Sequence, residues 1–357
     1  MHRKLVSALL AGLIASFTPV PNAQATGDVW VEGSYEYLAL PDVRFINRYF
    51  LPGASGGVAR QEFRNDDGDF DGFRIDGGVS NIPIMGGAYL MGVKGFFAWH
   101  DDKTELQCAS NAAAVPPLSL CLANPLIDNT AIVQAVSAGG GGGAGNTQQF
   151  TTDRNVDHWG VAIEVARGPA GLKAGPAFRR IDQDLTITGR EISAGPGGPD
   201  PYQLTYSEDL ATNYWGAFVG ADGSIDLGGG WSLLADGEAG LYWADTDYSG
   251  SYVVTNAFAG GVVNPNVNQS LSLESDELAF IGVLKAALEK DFGMFKLAGF
   301  GRFEYISSAP DVGYNDLDTA VGVIAVQGAE DETRIGERYA VAASAGVRLI
   351  VPMGSGQ

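Results

Sequence analysis

Residues 231–243 read WSLLADGEAGLYW, and their side chains alternate between two kinds over the whole stretch. The odd-numbered positions, from Trp231 to Trp243, are aromatic, aliphatic or small, whereas the even-numbered positions include Asp236 and Glu238. A period of two is that of a β-strand, because successive side chains of a strand point to opposite faces. The stretch therefore predicts a strand with one apolar face and one charged face.

The same alternation recurs in ten segments along the chain. These predicted strands cover residues 28–40, 72–82, 87–100, 156–167, 172–187, 212–227, 230–244, 276–290, 294–307 and 338–351. The connections after odd-numbered strands are long, and they cover residues 41–71, 101–155, 188–211, 245–275 and 308–337. Those after even-numbered strands are tight and contain the Gly or Pro that a chain reversal needs, at residues 83–86, 168–171, 228–229 and 291–293.

An even number of strands with alternating long and short connections is typical of barrels that cross a bacterial outer membrane. The predicted fold is therefore all-β: a single antiparallel up-and-down transmembrane β-barrel of about ten strands, with short periplasmic turns and long extracellular loops. Beyond the first 25 residues no stretch approaches 18 consecutive apolar residues, which argues against a helical membrane protein. A soluble β-sandwich buries its apolar faces between two sheets and gives no reason for the loop asymmetry.

Residues 1–25 carry the features of a secretory signal peptide. The basic residues Arg3 and Lys4 precede a short apolar run at 5–17, and Ala23-Gln24-Ala25 offers a cleavage site. A membrane anchor needs a longer run, about 20 apolar residues. Residues 26–357 are then expected to form an exported barrel in the outer membrane of the bacterial cell.

The charge balance excludes one class of partner. The net charge is −20, and loss of Arg3 and Lys4 with the leader changes it to −20 − 2 = −22. Such a surface repels nucleic acid. No nucleotide, haem or zinc motif is present, so no cofactor is expected, and the sequence does not predict an oligomeric state.

Aromatic residues collect near the ends of the predicted strands. Those near the long connections are Trp99, Trp159, Trp215, Trp243, Tyr305 and Tyr339. Those near the tight turns are Trp231, Phe295 and Tyr89. We expect two girdles at the two membrane interfaces, in contact with outer-membrane lipids and lipopolysaccharide. The alternative is that these positions are aromatic only because strands are in general rich in aromatic residues.

The face opposite to the apolar one carries both signs of charge and is expected to line the lumen. Its members are Glu32, Glu36, Arg74, Asp76, Lys94, Glu164, Lys173, Arg179, Asp222, Asp236, Glu238, Lys285, Lys296, Arg302, Glu304 and Arg348. Eight strands make a barrel that its own side chains just fill, so ten leave at most a narrow passage. The charges therefore predict either a constriction that selects small solutes or a plug of salt bridges.

The stretch YWGAFVGADGSIDLGGGWSLLADGEAGLYW, residues 214–243, resembles the Legionella-type major outer membrane protein family of pore-forming barrels, and GDVWVEGSYEYLALP at 27–41 is a weaker echo. In that family a strand with Trp-Gly runs through an LGGGxSL turn, which Trp215-Gly216 and residues 227–233 match here. The resemblance implies a porin-like passive pore and no catalytic residues. A closed structural or adhesive barrel, whose extracellular loops bind partners, is the alternative.

A hydrolase at the rim of the barrel is a third and less favoured function. His100 and His158 are expected to point inward near the extracellular rim, with Asp101, Asp102 and Asp157 close in sequence. An Asp–His pair there would serve as a general base. However, Asp157 and His158 are adjacent on one strand and so face opposite sides, and no nucleophile motif accompanies them.

Two further features lie in the first two long connections. The cysteines, Cys108 and Cys121, are expected to form a disulfide within one exported loop. In the first connection Asn65, Asp67, Asp69 and Asp71 place an oxygen at every second position, as a calcium site would. The closing Glu of an EF-hand is missing, which favours a solvated acidic hairpin tip over a calcium site.

Overall fold

The computed structural model describes residues 27–41, 43–50, 58–66, 68–109, 119–120, 137–138, 147–167, 171–192, 202–256, 267–313 and 334–353. The predicted signal peptide, residues 1–25, lies outside the described residues. No described helix is long and apolar enough to cross a membrane.

The described chain is almost entirely β-structure. In chain order its strands are β1 (Gly27–Ala39), β2 (Val43–Phe50), β3 (Val58–Asp66), β4 (Asp69–Ile84), β5 (Tyr89–Ala109), β6 (Ser119–Leu120), β7 (Ser137–Ala138), β8 (Thr147–Ala166), β9 (Leu172–Ile192), β10 (Tyr202–Gly228), β11 (Trp231–Asn256), β12 (Val267–Asp291), β13 (Lys296–Gly313) and β14 (Arg334–Met353). One 3-10 turn, Met85–Gly87, separates β4 from β5.

Ten strands close into one barrel, in the order β1, β14, β13, β12, β11, β10, β9, β8, β5 and β4, with β4 pairing back onto β1. Every pair of neighbours in this ring is antiparallel. The predicted fold class is therefore confirmed. The fold is that of an outer-membrane β-barrel, in which closure gives each strand two neighbours. The pairing of β12 with β13 ends at Ile281 and Ile306, while β12 continues to Val267 alongside β11.

The turn between β10 and β11 shows why three glycines stand together. Gly228, Gly229 and Gly230 have φ angles of 84°, 62° and 78°. L-amino acids with a Cβ rarely adopt this left-handed region, whereas glycine enters it at little cost. The glycine run thus lets the chain reverse within three residues.

The outward side chains of the barrel form an apolar band. On β11 this band runs from Trp231 to Trp243, with Leu233 and Leu241 exposed between them. We call the side of the tight turns lower and the side of the long connections upper. The band marks the part of each strand that fits the hydrocarbon of a bilayer.

Aromatic rings join neighbouring strands at the upper edge of the band. The Phe178 ring lies 4.2 Å from that of Trp215 and 5.1 Å from that of Trp159. Tyr305 and Tyr339 are 6.3 Å apart, centroid to centroid. This upper girdle has the arrangement that a membrane interface favours.

Several strands continue well above the girdle, where the sequence predicts loops. The described side chains of this upper wall belong to residues 180–188 of β9, 205–214 of β10, 244–251 of β11 and 270–277 of β12. The alternation persists there, but most acids lie outside and most inward side chains are apolar or carry a hydroxyl. The inward exceptions are hydrogen-bonded, as Glu208 is to Tyr206 and Glu277 is to Ser308. Because the outer face is apolar only as far as the girdle, the predicted loops 188–211 and 245–275 were too long.

A second, small sheet accompanies the barrel. It has the order β3, β2, β6, β7, and it lies in the predicted loops 41–71 and 101–155. Strands β2 and β3 form a hairpin, and Tyr49 of β2 pairs with Ser119 of β6. The first two long connections are therefore joined by backbone pairing, which the sequence analysis did not predict.

Candidate functional site in the barrel lumen

The centre of the lumen holds a buried arginine with two acidic partners. The Arg74 side chain is fully buried and donates from Nε and Nη2 to the two carboxylate oxygens of Asp76, at 2.8 and 3.0 Å. Its Nη1 donates to Glu36 at 3.2 Å. The guanidinium carbon also lies 3.7 Å from the centre of the Phe96 ring, a cation–π contact.

Two more arginines extend this group across the barrel. Arg302 donates to Asp76 at 3.0 Å and to Glu304 at 2.6 Å. Arg179 donates to Glu304 from the far wall, since its strand β9 lies four positions from β13 around the ring. We call these six residues the arginine cluster: Arg74, Arg179, Arg302, Glu36, Asp76 and Glu304. With three charges of each sign it is neutral, and it ties opposite walls together.

A second group of charges lies lower in the lumen, and we call it the lysine cluster. Its members are Lys94, Lys173, Glu164, Asp236 and Glu238. Lys173 Nζ lies 2.7 Å from both Asp236 and Glu238, and Lys94 pairs with Glu238 and, at 3.5 Å, with Glu164. Lys94 and Glu238 also sit four strand positions apart, so this pair too crosses the interior.

The third group joins the strands on the remaining side. Glu32, whose side chain is almost fully buried, pairs with Lys285 and lies 3.3 Å from Arg348 Nε. Arg348 packs over the ring of Trp30, at 4.8 Å from its centre. We call Glu32, Lys285, Arg348 and Trp30 the Glu32 group.

An apolar layer lies above the charges. Its buried members come from every barrel strand except β5 and from the residue after β1, and they are Leu38, Leu40, Phe70, Val156, Ile181, Tyr214, Tyr242, Ala244, Ala279, Ile281, Ile306, Ala309, Ala340 and Ala342. Each is at most 5% exposed. The Tyr214 hydroxyl donates to the Ser308 carbonyl at 3.0 Å, which satisfies the polar end of that ring. These residues form one buried hydrophobic cluster at this level of the barrel.

A cavity of about 130 Å³ lies below the apolar layer, among the charges. Twelve of the sixteen residues that the sequence assigns to the lumen line it: Glu32, Arg74, Asp76, Lys94, Glu164, Lys173, Arg179, Asp236, Glu238, Lys285, Arg302 and Arg348. Of the other four, Glu36 and Glu304 are buried above it, Lys296 pairs with Glu289 lower down at 3.1 Å, and Asp222 is exposed at the lower end.

Aromatic residues that were not predicted for the lumen also line the cavity. Trp30, Phe96 and Phe218 line the cavity, and the last two face Arg74 and Lys94. The signal that identifies them is parity, because Phe96 stands two residues from Lys94 and so shares its face.

The two histidines lie inside the barrel and away from any open rim. His100 and His158 are 2% and 1% exposed, and their Nε2 atoms lie 3.5 Å from Glu36 and 3.9 Å from Glu304. Their predicted position at the rim was therefore wrong: the upper wall continues past them. Asp157 faces outward on β8, as its parity with His158 predicts.

The possible calcium site is only partly described. Asp69 and Asp71 lie exposed on the outer face of β4. The side chains of Asn65 and Asp67 lie outside the described residues, as do those of Cys108 and Cys121, so the disulfide stays a prediction. Within the described part of the chain no three side chains gather as a metal site would require.

The outer face of the upper wall carries a row of acids. Asp245 and Asp247 of β11 stand directly above Trp243, and Asp276 of β12 is the register partner of Asp245. Partial burial, followed by the charges of Asp247 and Asp276, raises the pKa of Asp245 above its ordinary value. Arg180 lies in the same row, and its hydrogen bond to Asp182 raises its pKa.

The chain was compared with known proteins. No family model matches it, and neither does any curated relative. Among solved structures, the outer-membrane protease OmpT of Escherichia coli is 10% identical, with a TM-score of 0.36 over 95% of this chain and 98% of that one. A FadL homologue of Pseudomonas aeruginosa is 8% identical, with a TM-score of 0.25 over 92% and 91%.

The toluene transporter TodX of Pseudomonas putida is also similar, at 10% identity and a TM-score of 0.28 over 95% of this chain and 92% of that one. All these TM-scores are low, so the fold described above rests on the strand pairing of the chain itself.

Proposed function

We propose that this protein is an outer-membrane β-barrel of the bacterial cell whose lumen is closed, and whose upper wall and extracellular loops are its working surface. The observation that carries the proposal is the apolar layer. Its side chains are almost fully buried, and the arginine cluster below it joins opposite walls. A passive pore needs a continuous path for water, and a buried apolar layer across the lumen opposes such a path.

Under this proposal the lumen charges have a structural role. Each carboxylate of the arginine cluster is paired with at least one guanidinium, and such a group holds the walls of the barrel at fixed positions. The two histidines also have a structural role, because neither ring is exposed to a substrate. In the same proposal, the outer acids bind lipopolysaccharide through divalent cations.

A porin-like passive pore for small solutes is the second candidate. It is favoured by the resemblance of residues 214–243 to the Legionella-type family, and by the cavity that occupies the lower lumen. For such a pore the apolar layer would have to move, and water would have to pass beside the arginine cluster. The two candidates therefore differ in one property, the permeability of the barrel.

Swelling of proteoliposomes in solutions of small sugars and amino acids tests the proposal. Liposomes with the natural protein are expected to swell no faster than empty ones. A variant with Phe70, Tyr214 and Tyr242 replaced by glycine serves as the positive control, because it removes the three rings of the apolar layer. Solute-dependent swelling with the natural protein, at a rate close to that of the control, would overturn the closed barrel in favour of the pore.

A further inference from the structure

The cavity in the lower lumen opens towards the tight turns. Exposure of the charged side chains increases in that direction: Arg74 is fully buried beneath the apolar layer, whereas the side chains of Lys94, Arg348 and Asp236 are 26%, 22% and 34% exposed. Since the apolar layer lies across the lumen above, the cavity is a pocket with one open end. A small solute would enter it from the lower side.

The two walls of this pocket carry opposite excess charge. On one wall the Glu32 group has two cations, Lys285 and Arg348, and a single carboxylate. On the other, the lysine cluster has two cations and three carboxylates. The arginine cluster between them is neutral. Asp236 is the register partner of Lys285 on the neighbouring strand β11, whereas β14 of Arg348 lies three positions from β11 and four from β8 of Glu164 around the ring. The negative charge that the Glu32 group lacks is therefore missing on the side of Arg348.

Arg348 keeps donor capacity that the protein does not use. Its only ionic contact is the one from Nε to Glu32, and it makes no hydrogen bond from Nη1 or Nη2 among the described side chains. Its guanidinium lies against Trp30, which fixes its plane. A guanidinium with two free parallel donors matches a carboxylate, which accepts both.

We propose that this pocket binds a small carboxylate, held by Arg348 and Lys285 beside Trp30. The ligand supplies the negative charge that the Glu32 group lacks, and partly buried cations are more stable when each has a counter-charge. A cavity of about 150 Å³ in another protein holds a molecule the size of benzene, so the volume here admits about six non-hydrogen atoms. The carboxylates of the opposite wall disfavour a second negative charge on the ligand.

The fluorescence of Trp30 provides a probe of ligand binding at this site. The other five tryptophans point outward from the barrel, whereas Trp30 lines the cavity. Acetate, added to the purified protein in detergent, is expected to change tryptophan emission in a saturable way and to be retained saturably in equilibrium dialysis. The emission change should vanish in Trp30→Phe, while the dialysis signal identifies binding independently of fluorescence.

Two variants test the assignment of Arg348. Arg348→Gln removes the two donors and is expected to weaken acetate binding by about tenfold or more, as the loss of hydrogen bonds to a charged group predicts. Arg348→Lys keeps the charge, and a smaller loss is expected. Lys296→Gln is the matched control, because it removes a lumen cation outside the cavity and should bind acetate as the natural protein does. Circular dichroism confirms that each variant is folded.

Three results would overturn the proposal. The first is an absence of saturable acetate binding to the folded natural protein. The second is equal binding of chloride, which would indicate a general anion effect. The third is unchanged binding in both Arg348 variants, which would place any site elsewhere. These outcomes do not depend on whether the barrel conducts, because the pocket is reached from its open end in either case.

Discussion

The lower and upper parts of the barrel strands use the same alternation with opposite polarity. On β11, Leu233 and Leu241 face outward and Asp236 and Glu238 face inward within the apolar band. In the upper wall of the same strand, Asp245 and Asp247 face outward while Thr246 and Tyr248 face inward. The change occurs within two residues of Trp243. One strand thus passes from a lipid environment with a polar interior to an aqueous environment with a less polar interior.

The surrounding solvent decides which face of a strand is apolar and which is polar. In the band, lipid requires an apolar exterior, and charges are tolerated inside only because they pair. In the upper wall, water covers the exterior, and the interior packs as that of a soluble protein does. The apolar layer lies where these two arrangements meet, at the level of the girdle.

Removal of the central arginine should have the largest effect. Arg74→Leu leaves Glu36 and Asp76 buried without their main partner, and breaking such a buried pair costs about 3–5 kcal/mol. Urea-induced unfolding in lipid vesicles measures this loss. Arg338→Leu, which removes a partly exposed ion pair with Asp311, should cost less than about 1 kcal/mol. Equal losses in the two variants would show that the arginine cluster is not what holds the lower lumen.

A charge placed on the outer face should reveal the border of the band. Ala235→Arg puts a guanidinium near the middle of the lipid-facing part of β11 and should cost about 2–4 kcal/mol. Ser249→Arg makes a similar change on the same face of the same strand, but above the girdle. We expect an effect below about 1 kcal/mol there. Comparable unfolding free energies for the two variants would contradict the assigned border.

The interior of the upper wall should tolerate loss of a polar pair better than loss of one partner. Thr212 and Thr246 are buried, and their hydroxyl oxygens lie 3.0 Å apart. Thr212→Val leaves Thr246 without this partner and should cost about 1–3 kcal/mol. Replacing both by Val should recover most of that loss. A double variant as unstable as the sum of the two single ones would argue against an apolar interior at this level.

The smallest effect is expected from the outer acids. The pKa of Asp245 is higher in the folded protein than in the unfolded chain, where it is about 3.9. Protonated Asp245 therefore stabilises the fold fully below about pH 3.9, and this contribution is lost as the pH rises through the folded pKa. Asp245→Asn should therefore lose less stability than the natural protein between pH 3 and pH 7. Urea midpoints at the two pH values measure the difference, which added salt should reduce.

Ser249→Asn is the control for this pH dependence, since it changes an uncharged residue on the same face of β11. It should follow the natural protein at both pH values. A steeper pH dependence in Asp245→Asn than in the natural protein would show that the acids of the upper wall do not repel one another.

Parity along the chain was enough to predict most of the fold. It places ten strands, their antiparallel order and the inward side of residues such as Arg74 and Glu238, because a strand in lipid has only one permitted outer face. It does not predict the upper wall, because outward positions there, such as Asp245, are no longer apolar. Nor does it predict the hairpin of β2 and β3 or its pairing with β6, since partners in loops are not specified by local pattern.

The state of the lumen was beyond the reach of the sequence. Inward charges such as Arg179 and Glu304 are compatible with a constriction or with a plug, and only the distance across the barrel distinguishes the two. Inward apolar residues such as Ile281 and Ala342 carry no sequence signal that distinguishes them from other strand residues, yet they belong to the apolar layer. Their height relative to the charges depends on the stagger of ten strands, which no single segment encodes.

Single-channel recording in planar bilayers tests the central claim, the closed lumen, most directly. The purified natural protein is expected to insert without producing stable current steps, while the variant with Phe70, Tyr214 and Tyr242 replaced by glycine should conduct. Stable, ohmic current steps from the natural protein, of a size similar to those of the variant, would contradict a lumen sealed by the apolar layer.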